Sequence, residues 1–183
     1  TASNSCGQAT SAEAILTVLP APTGPGSLDV TFDVEFHSAI TGAGGVISAL
    51  AQQPDGKVYA GGSFDSVNGQ PRHNLARLYA DGTLDPSFVP DIEVDFQVLA
   101  LGLQPDGRLL VAGKVPPTDP VVRIPKGLVR LNPDGSVDSS FVWSAPEGIR
   151  YVRALVLQPD GKILIGGEFR FAHFAGLARL HPD

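Results

Sequence analysis

Three arginines stand where a lone cation is hard to keep. Arg77, Arg130 and Arg179 each take the third place of a short apolar run, in Leu75-Ala76-Arg77-Leu78, Leu128-Val129-Arg130-Leu131 and Leu177-Ala178-Arg179-Leu180. A guanidinium in such a run must be paired, because a buried, uncompensated charge costs several kcal/mol. Acidic residues recur in step with them: Asp29, Asp85 and Asp138 lie in Leu28-Asp29-Val30-Thr31-Phe32, Leu84-Asp85-Pro86-Ser87-Phe88 and Val137-Asp138-Ser139-Ser140-Phe141. Two functional chemistries fit these sets, an anion channel lined by the arginines or a calcium site where the aspartates converge. The acidic spacing does not resemble a calcium-binding loop such as the EF-hand. We expect instead that each arginine reaches one of these aspartates, or backbone carbonyls, as a structural clamp repeated along the chain.

Other reactive groups form no constellation. His37, His73, His173 and His181 are scattered and stand beside a single cysteine, Cys6, so they lack the ligand spacing of a zinc site. No Gly-x-Ser-x-Gly elbow positions a nucleophile, and Gly61, Gly62, Gly166 and Gly167 fall within strand-like repeats rather than in a loop opening a helix. Those glycines are expected to permit close packing between repeats. We therefore expect no enzyme, no metal and no cofactor. Contact surfaces are the remaining possibility. Trp143, in a segment expected to be an exposed loop, and Tyr151 offer amphipathic rings to a sugar or peptide, and Arg72 and His73 lie in the first of three variable stretches, 65 to 74, 116 to 127 and 170 to 176.

The elements that must position these residues are repeats. Gln-Pro-Asp-Gly occurs at Gln53–Gly56, Gln104–Gly107 and Gln158–Gly161, an interval of about fifty residues that suits a blade-sized unit. Before each tetrapeptide comes a short, mostly apolar strand ending at Gln52, Leu103 or Leu157. After it comes a second strand that begins at Lys57, Arg108 or Lys162. Pro-Asp-Gly between strands is hairpin chemistry, since proline presets φ, aspartate bonds nearby backbone and glycine takes a positive φ. Asp55, Asp106 and Asp160 are thus expected in turns. A variable insertion of roughly seven to twelve residues then leads to a second hairpin, whose first strand carries the arginine and whose second carries the aspartate. Four strands per unit match a blade of a β-propeller.

The combination Ala-Leu-x-x-Gln-Pro-Asp-Gly-Lys, Gly-Gly-x-Phe, Asn68-Gly69-Gln70-Pro71-Arg72, Leu-Ala-Arg-Leu and Asp-Gly-x-Leu-Asp-Pro-Ser-Phe resembles the delta-60 type repeat of bacterial β-propellers, over roughly residues 26 to 183. The resemblance implies a bacterial, usually exported, repeat module within a large surface protein, and it implies no reaction and no catalytic residue. The second copy departs from the pattern where Lys114-Val115-Pro116-Pro117-Thr118-Asp119-Pro120 replaces Gly-x-Phe and its loop. That stretch is either a specific contact surface or drift, and drift is the expected reading.

The fold expected is all-β: three four-stranded repeats, at about 26–80, 81–132 and 133–183, in a ring that this chain alone does not close, since about four to eight blades are usual. The phase of the repeat is fourth strand first and third strand last. Residues 1–22 stand apart. Asn4-Ser5-Cys6-Gly7-Gln8 followed by Ala14-Ile15-Leu16-Thr17-Val18 resembles the closing hairpin of a bacterial immunoglobulin-like domain, and Pro20, Pro22 and Pro25 then stiffen a linker. A lone hairpin does not fold by itself. That argument, with the absence of methionine, leads us to expect a piece of a longer chain, in which Cys6 could find a partner.

A formal net charge of −6 disfavours nucleic acid and anionic membranes as partners, and no apolar run approaches the roughly twenty residues of a membrane span. The expected role is a non-enzymatic scaffold or adhesion module, extracellular or at the cell surface, whose partners are neighbouring domains or other copies. Two alternatives stay open: a subunit that completes its propeller or forms a fibre by strand or blade complementation, and a carbohydrate-binding propeller contacting surface glycan.

Overall fold

The computed structural model describes residues 2–4, 7–9, 34–38, 44–92, 96–114, 127–143, 151–171 and 174–182, the side chains of the N-terminal hairpin and of 169–175 excepted. The chain divides into two compact units, Thr1–Thr31 and Phe32–Asp183. In the first, strands β1 (Ala2–Asn4) and β2 (Gly7–Ala9) pair antiparallel with Asn4 opposite Gly7. Cys6, Ala14–Val18 and the linker prolines lie outside the described residues.

The second unit is built from three antiparallel sheets, one per repeat, where each repeat is counted with the fourth-strand segment that bridges to its sheet, 84–88 for the first and 137–141 for the second. Strands β4 (Val46–Gln52), β5 (Val58–Ser63) and β8 (Leu75–Leu78) form the first. The second contains β9 (Gln97–Leu103), β10 (Leu109–Lys114) and β11 (Leu128–Leu131), and the third β12 (Tyr151–Leu157), β13 (Ile163–Phe171) and β14 (Phe174–Leu180). One residue pair, Lys114 opposite Tyr151, joins the second sheet to the third. Short strands β3 (Phe36–His37), β6 (Ser66–Val67) and β7 (Gln70–Pro71) make a small extra sheet. Part of the first variable stretch is thus a hairpin. Asn68 and Gly69, at φ 48° and 73°, turn it with the left-handed pair that two-residue hairpins favour.

The Gln-Pro-Asp-Gly turns close identically. Gly56 N donates to Gln53 O at 3.0 Å, Lys57 N donates to the Asp55 side chain at 3.1 Å, and Gly56 sits at φ 89°. Asp106 and Asp160 accept from Arg108 N and Lys162 N at 3.0 and 3.1 Å. The fourth strand departs from expectation. In the two copies that the described residues contain it shrinks to one bridged pair, Leu78 with Leu84 and Leu131 with Val137. The next residue ends the ladder: Asp85 Oδ1 accepts from Ser87 N at 2.9 Å, and Phe88 N turns back to Asp85 O at 3.4 Å. Asp138 does the same to Ser140 N at 3.0 Å. A carboxylate that captures the amide two residues on folds the backbone into a turn and withdraws it from a sheet.

Alternation in β10 explains how the sheets stack. Leu109 and Val111 enter a cluster with Tyr59, Leu75 and Phe88 of the first repeat, while Leu110 and Ala112 enter one with Val152, Ile163 and Ile165 of the third. Both faces of the middle sheet are thereby apolar and covered. A third cluster, with Phe64, Val67, Ala76, Leu78 and Leu84, packs against Val34, Phe36 and Ile47.

The glycine pairs divide their labour. A Cβ on Gly61 would lie 2.4 Å from Val98 of the next repeat, so this glycine does serve packing between repeats. On Gly62 or Gly167 it would lie 1.9 or 2.0 Å from the carbonyl oxygen of Val46 or Tyr151 in the same sheet. These two serve the bulge within their own sheet. At Gly166 a Cβ would meet only ordinary contacts, from 3.6 Å outward.

Candidate functional site

The third strand and the following turn of each repeat bring Arg77 to Asp85 and Arg130 to Asp138. Each arginine lies on the third strand of its sheet, in the same register: Arg77 stands opposite Tyr59 and Arg130 opposite Leu110. Arg77 Nε donates to Asp85 Oδ2 at 2.8 Å, and Nη2 donates to Ser87 Oγ at 3.0 Å. Its Nη1 donates to Tyr59 Oη at 3.4 Å and to Pro133 O, in the next repeat, at 2.7 Å. Arg130 repeats the pattern: Nε to Asp138 Oδ2 at 2.7 Å, Nη2 to Ser140 Oγ at 3.3 Å, and Nη1 to Pro182 O, again in the next repeat, at 3.0 Å. Each guanidinium also lies over an aromatic ring of its own repeat, Phe88 at 5.0 Å and Phe141 at 4.7 Å.

The carboxylates are as fully engaged as the guanidiniums. Asp85 Oδ1 accepts from Ser87 N, Ser87 Oγ at 2.6 Å and Tyr79 Oη at 3.3 Å, while Oδ2 also meets Lys57 Nζ at 3.0 Å. Burial alone would raise the Asp85 pKa, but the Ser87 hydroxyl and amide, Lys57 and Arg77 hold it well below the usual carboxylate range. The Ser140 hydroxyl is the main cause that brings Asp138 down to about 2, with the Ser140 amide and Arg130 adding to it against burial. Arg108 Nε stands 3.4 Å from Asp138 as Lys57 stands to Asp85. These are ionised pairs with every lone pair directed, the condition under which a buried ion pair resists opening.

The arginine–aspartate pairs and a carbonyl partner were expected from the sequence, and the basic residue after Gln-Pro-Asp-Gly was seen to recur without a role being given to it. The serine two residues after the aspartate and the particular carbonyl, the one before the second Asp-Gly, were not singled out. Both recur at fixed offsets, so the repeat itself carried the signal. Arg179 pairs with Leu164 in the same register as the other two arginines but is exposed, whereas Arg77 and Arg130 are each 6% exposed. Asp29 lies outside the described residues. Lys162 pairs with the turn residue Asp160.

The four candidate contact residues do not converge on one site. Arg72 is half-buried and donates Nη1 to Pro71 O at 2.8 Å, and His73 is exposed beside Asp65, 3.5 Å away. Trp143 is half-buried against the cluster between the second and third repeats. Tyr151 lies between two cations, Arg153 at 4.6 Å and Lys114 at 5.7 Å from its ring centre. Residues 144–150, and most of the second variable stretch, are outside the described residues.

Residues 53–88, 126–141 and 158–183 match a family described as a β-propeller domain of unknown function (DUF5122), one segment in each repeat. With three stacked antiparallel sheets and a guanidinium bridge at each junction, this decides the fold. The repeats are β-propeller blades. No curated protein matches the chain. The clamp is then a blade-to-blade fastener: Arg77 and Arg130 each tie their own blade's aspartate and serine to a turn carbonyl of the following blade. Backbone pairing reinforces the first junction, where Val89 N and Asp91 N donate to Asp134 O and Gly135 O at 3.0 and 2.9 Å.

Proposed function

We propose that this chain is a non-enzymatic scaffold or adhesion module of a secreted or surface-attached bacterial protein, of the delta-60 repeat type, preceded by the end of an immunoglobulin-like domain. One observation carries the reading: in the first two blades the recurring charged residues Arg77, Asp85, Arg130 and Asp138 are consumed by the blade-to-blade fastener. Repetition here preserves a rigid stack and leaves only the variable stretches for contact. A propeller of this kind offers loop surfaces on a fixed frame, as binding scaffolds do. Among the described residues no helix crosses a membrane, and the surface location is part of the proposal.

The test is fractionation of the native source with an antibody to the chain, reading both compartment and denatured mass. Recovery from medium or cell surface at a mass well above 19.1 kDa supports a module of a larger exported protein. Recovery from the cytosol would sink the proposal. A second reading, assembly by blade complementation, is favoured by exposed apolar side chains on the two outer blades, Leu50 at 66% and Leu177 at 61%. It requires those two faces to fit one another.

A further inference from the structure

Cross-strand pairing shows which side chains share a blade face. Ala51, Tyr59 and Arg77 form one row across the first blade, Gly102, Leu110 and Arg130 the same row in the second, and Val156, Leu164 and Arg179 the same row in the third. In the first two blades this row faces the next blade. The opposite face presents Leu50, Leu101 or Leu155, each one residue before the row.

At a junction the leucine of the later blade packs where the earlier blade is small. Leu155 lies over Gly102 so closely that a Cβ on that glycine would be 2.3 Å from Leu155 Cδ2. At the first junction the residue in the Gly102 position is Ala51, which packs in one cluster with Leu101. The third blade breaks the series. Its residue is Val156, branched at Cβ and 57% exposed. The face is nevertheless made for covering, since Leu177, 61% exposed, stands where Leu75 and Leu128 are fully buried.

We infer that the outward face of the third blade takes a further blade carrying a side chain smaller than leucine at the Leu50, Leu101 and Leu155 position, and does not accept this chain's own first blade. A first blade docked in the geometry of the two existing junctions would set Leu50 against Val156, two large side chains where one large and one small are needed. A second mismatch agrees. Gln52 occupies the position of Leu103 and Leu157, both of which join apolar clusters at their junctions. Alanine opposite valine fills about the volume of leucine opposite glycine, which is the kind of exchange cores tolerate. The fitting blade also offers Arg179 a turn carbonyl, as Pro133 and Pro182 offer theirs to Arg77 and Arg130. This inference deepens the scaffold reading by specifying the neighbour of the third blade and removing closure upon identical copies; it holds whichever compartment the protein occupies.

The experiment is sedimentation velocity on the 183-residue chain across a concentration series. The natural sequence is expected to stay at the mass of one chain. Leu50→Ala with Gln52→Leu moves a leucine two residues along an exposed strand, and is expected to shift the mass to multiples of one chain. Adding Arg179→Ala is expected to reverse that shift. Val156→Gly in the natural background opens the same junction from the other side and should associate likewise, with near-UV circular dichroism checking that each variant keeps its packing. Association of the natural chain that Leu50→Ala weakens would overturn the inference, because Leu50 would then be a contact and not an obstruction. So would folded variants that all remain single chains.

Discussion

Arg130 and Arg179 sit in the same register of neighbouring blades and differ in almost everything else. Arg130 is 6% exposed and bonded to Asp138, Ser140 and the Pro182 carbonyl, and lies over Phe141, whereas Arg179 is exposed. Their own strands do not explain the contrast, since Leu-Val-Arg-Leu and Leu-Ala-Arg-Leu pair alike with the strand beside them. Two things outside the strand do: the turn eight to ten residues on, which brings Asp138 and Ser140 to Arg130, and the following blade, whose Pro182 carbonyl accepts from it. The 183 residues give Arg179 no counterpart of that turn, and among the described residues no blade lies over it.

The sharpest way to break this comparison is to truncate both arginines. Arg130→Ala, and likewise Arg77→Ala, is expected to cost about 3 kcal/mol in urea unfolding because it removes buried charge-assisted hydrogen bonds while Arg108 or Lys57 still faces the carboxylate, whereas Arg179→Ala should stay within about 0.5 kcal/mol as an exposed substitution does. Equal losses would mean that the partners gathered around Arg130 add nothing to stability. Turn glycines give the next largest contrast. Gly135, at φ 98°, would place a Cβ 2.4 Å from Val89 O across the junction, while Gly56, at φ 89°, would meet nothing closer than 3.6 Å. Gly135→Ala is expected to lose about 3 kcal/mol and Gly56→Ala about 1 kcal/mol, both strained by φ and only the first also by the neighbouring blade.

Acid should open the fasteners more gently. Asp138 falls from 3.8 in its ordinary state to about 2 when folded. Below pH about 4 the unfolded chain therefore binds a proton that the folded chain resists, and stability drops as pH falls towards about 2. The drop for this group is on the order of 2 kcal/mol, and the group contributes its full share above the ordinary value. Asp85, held lower still, loses its share further into acid. Stability measured against pH in Asp138→Asn should show a shallower decline through that window. An unchanged slope would show that the acid response lies elsewhere.

The repeats were readable because their period is written in turn chemistry. Pro-Asp-Gly forces a reversal wherever it stands, so β4, β5, β9, β10, β12 and β13 could be placed from Gln53, Gln104 and Gln158 alone. The fourth strand was not readable in the same way. Leu84–Phe88 has the alternation of a strand, yet Asp85 bonds Ser87 N and bends it away, a contest between side chain and ladder that pattern alone does not settle. Gly61 and Gly62 show the same limit. Adjacent in sequence and identical in type, they answer to different surfaces, one to Val98 of the next blade and one to Val46 of their own.

The sequence by itself determined the strands around Gln-Pro-Asp-Gly, the turns, the repeat and the pairing that an arginine needs where its strand is buried, because backbone conformation and desolvation are set by residue type and local order. Tertiary structure alone decided which carbonyl completes the guanidiniums of Arg77 and Arg130, and why glycine stands at 102 under Leu155. Those are properties of two blades in contact. Their partners lie about fifty residues apart, a distance over which local pattern carries no information and shape carries it all.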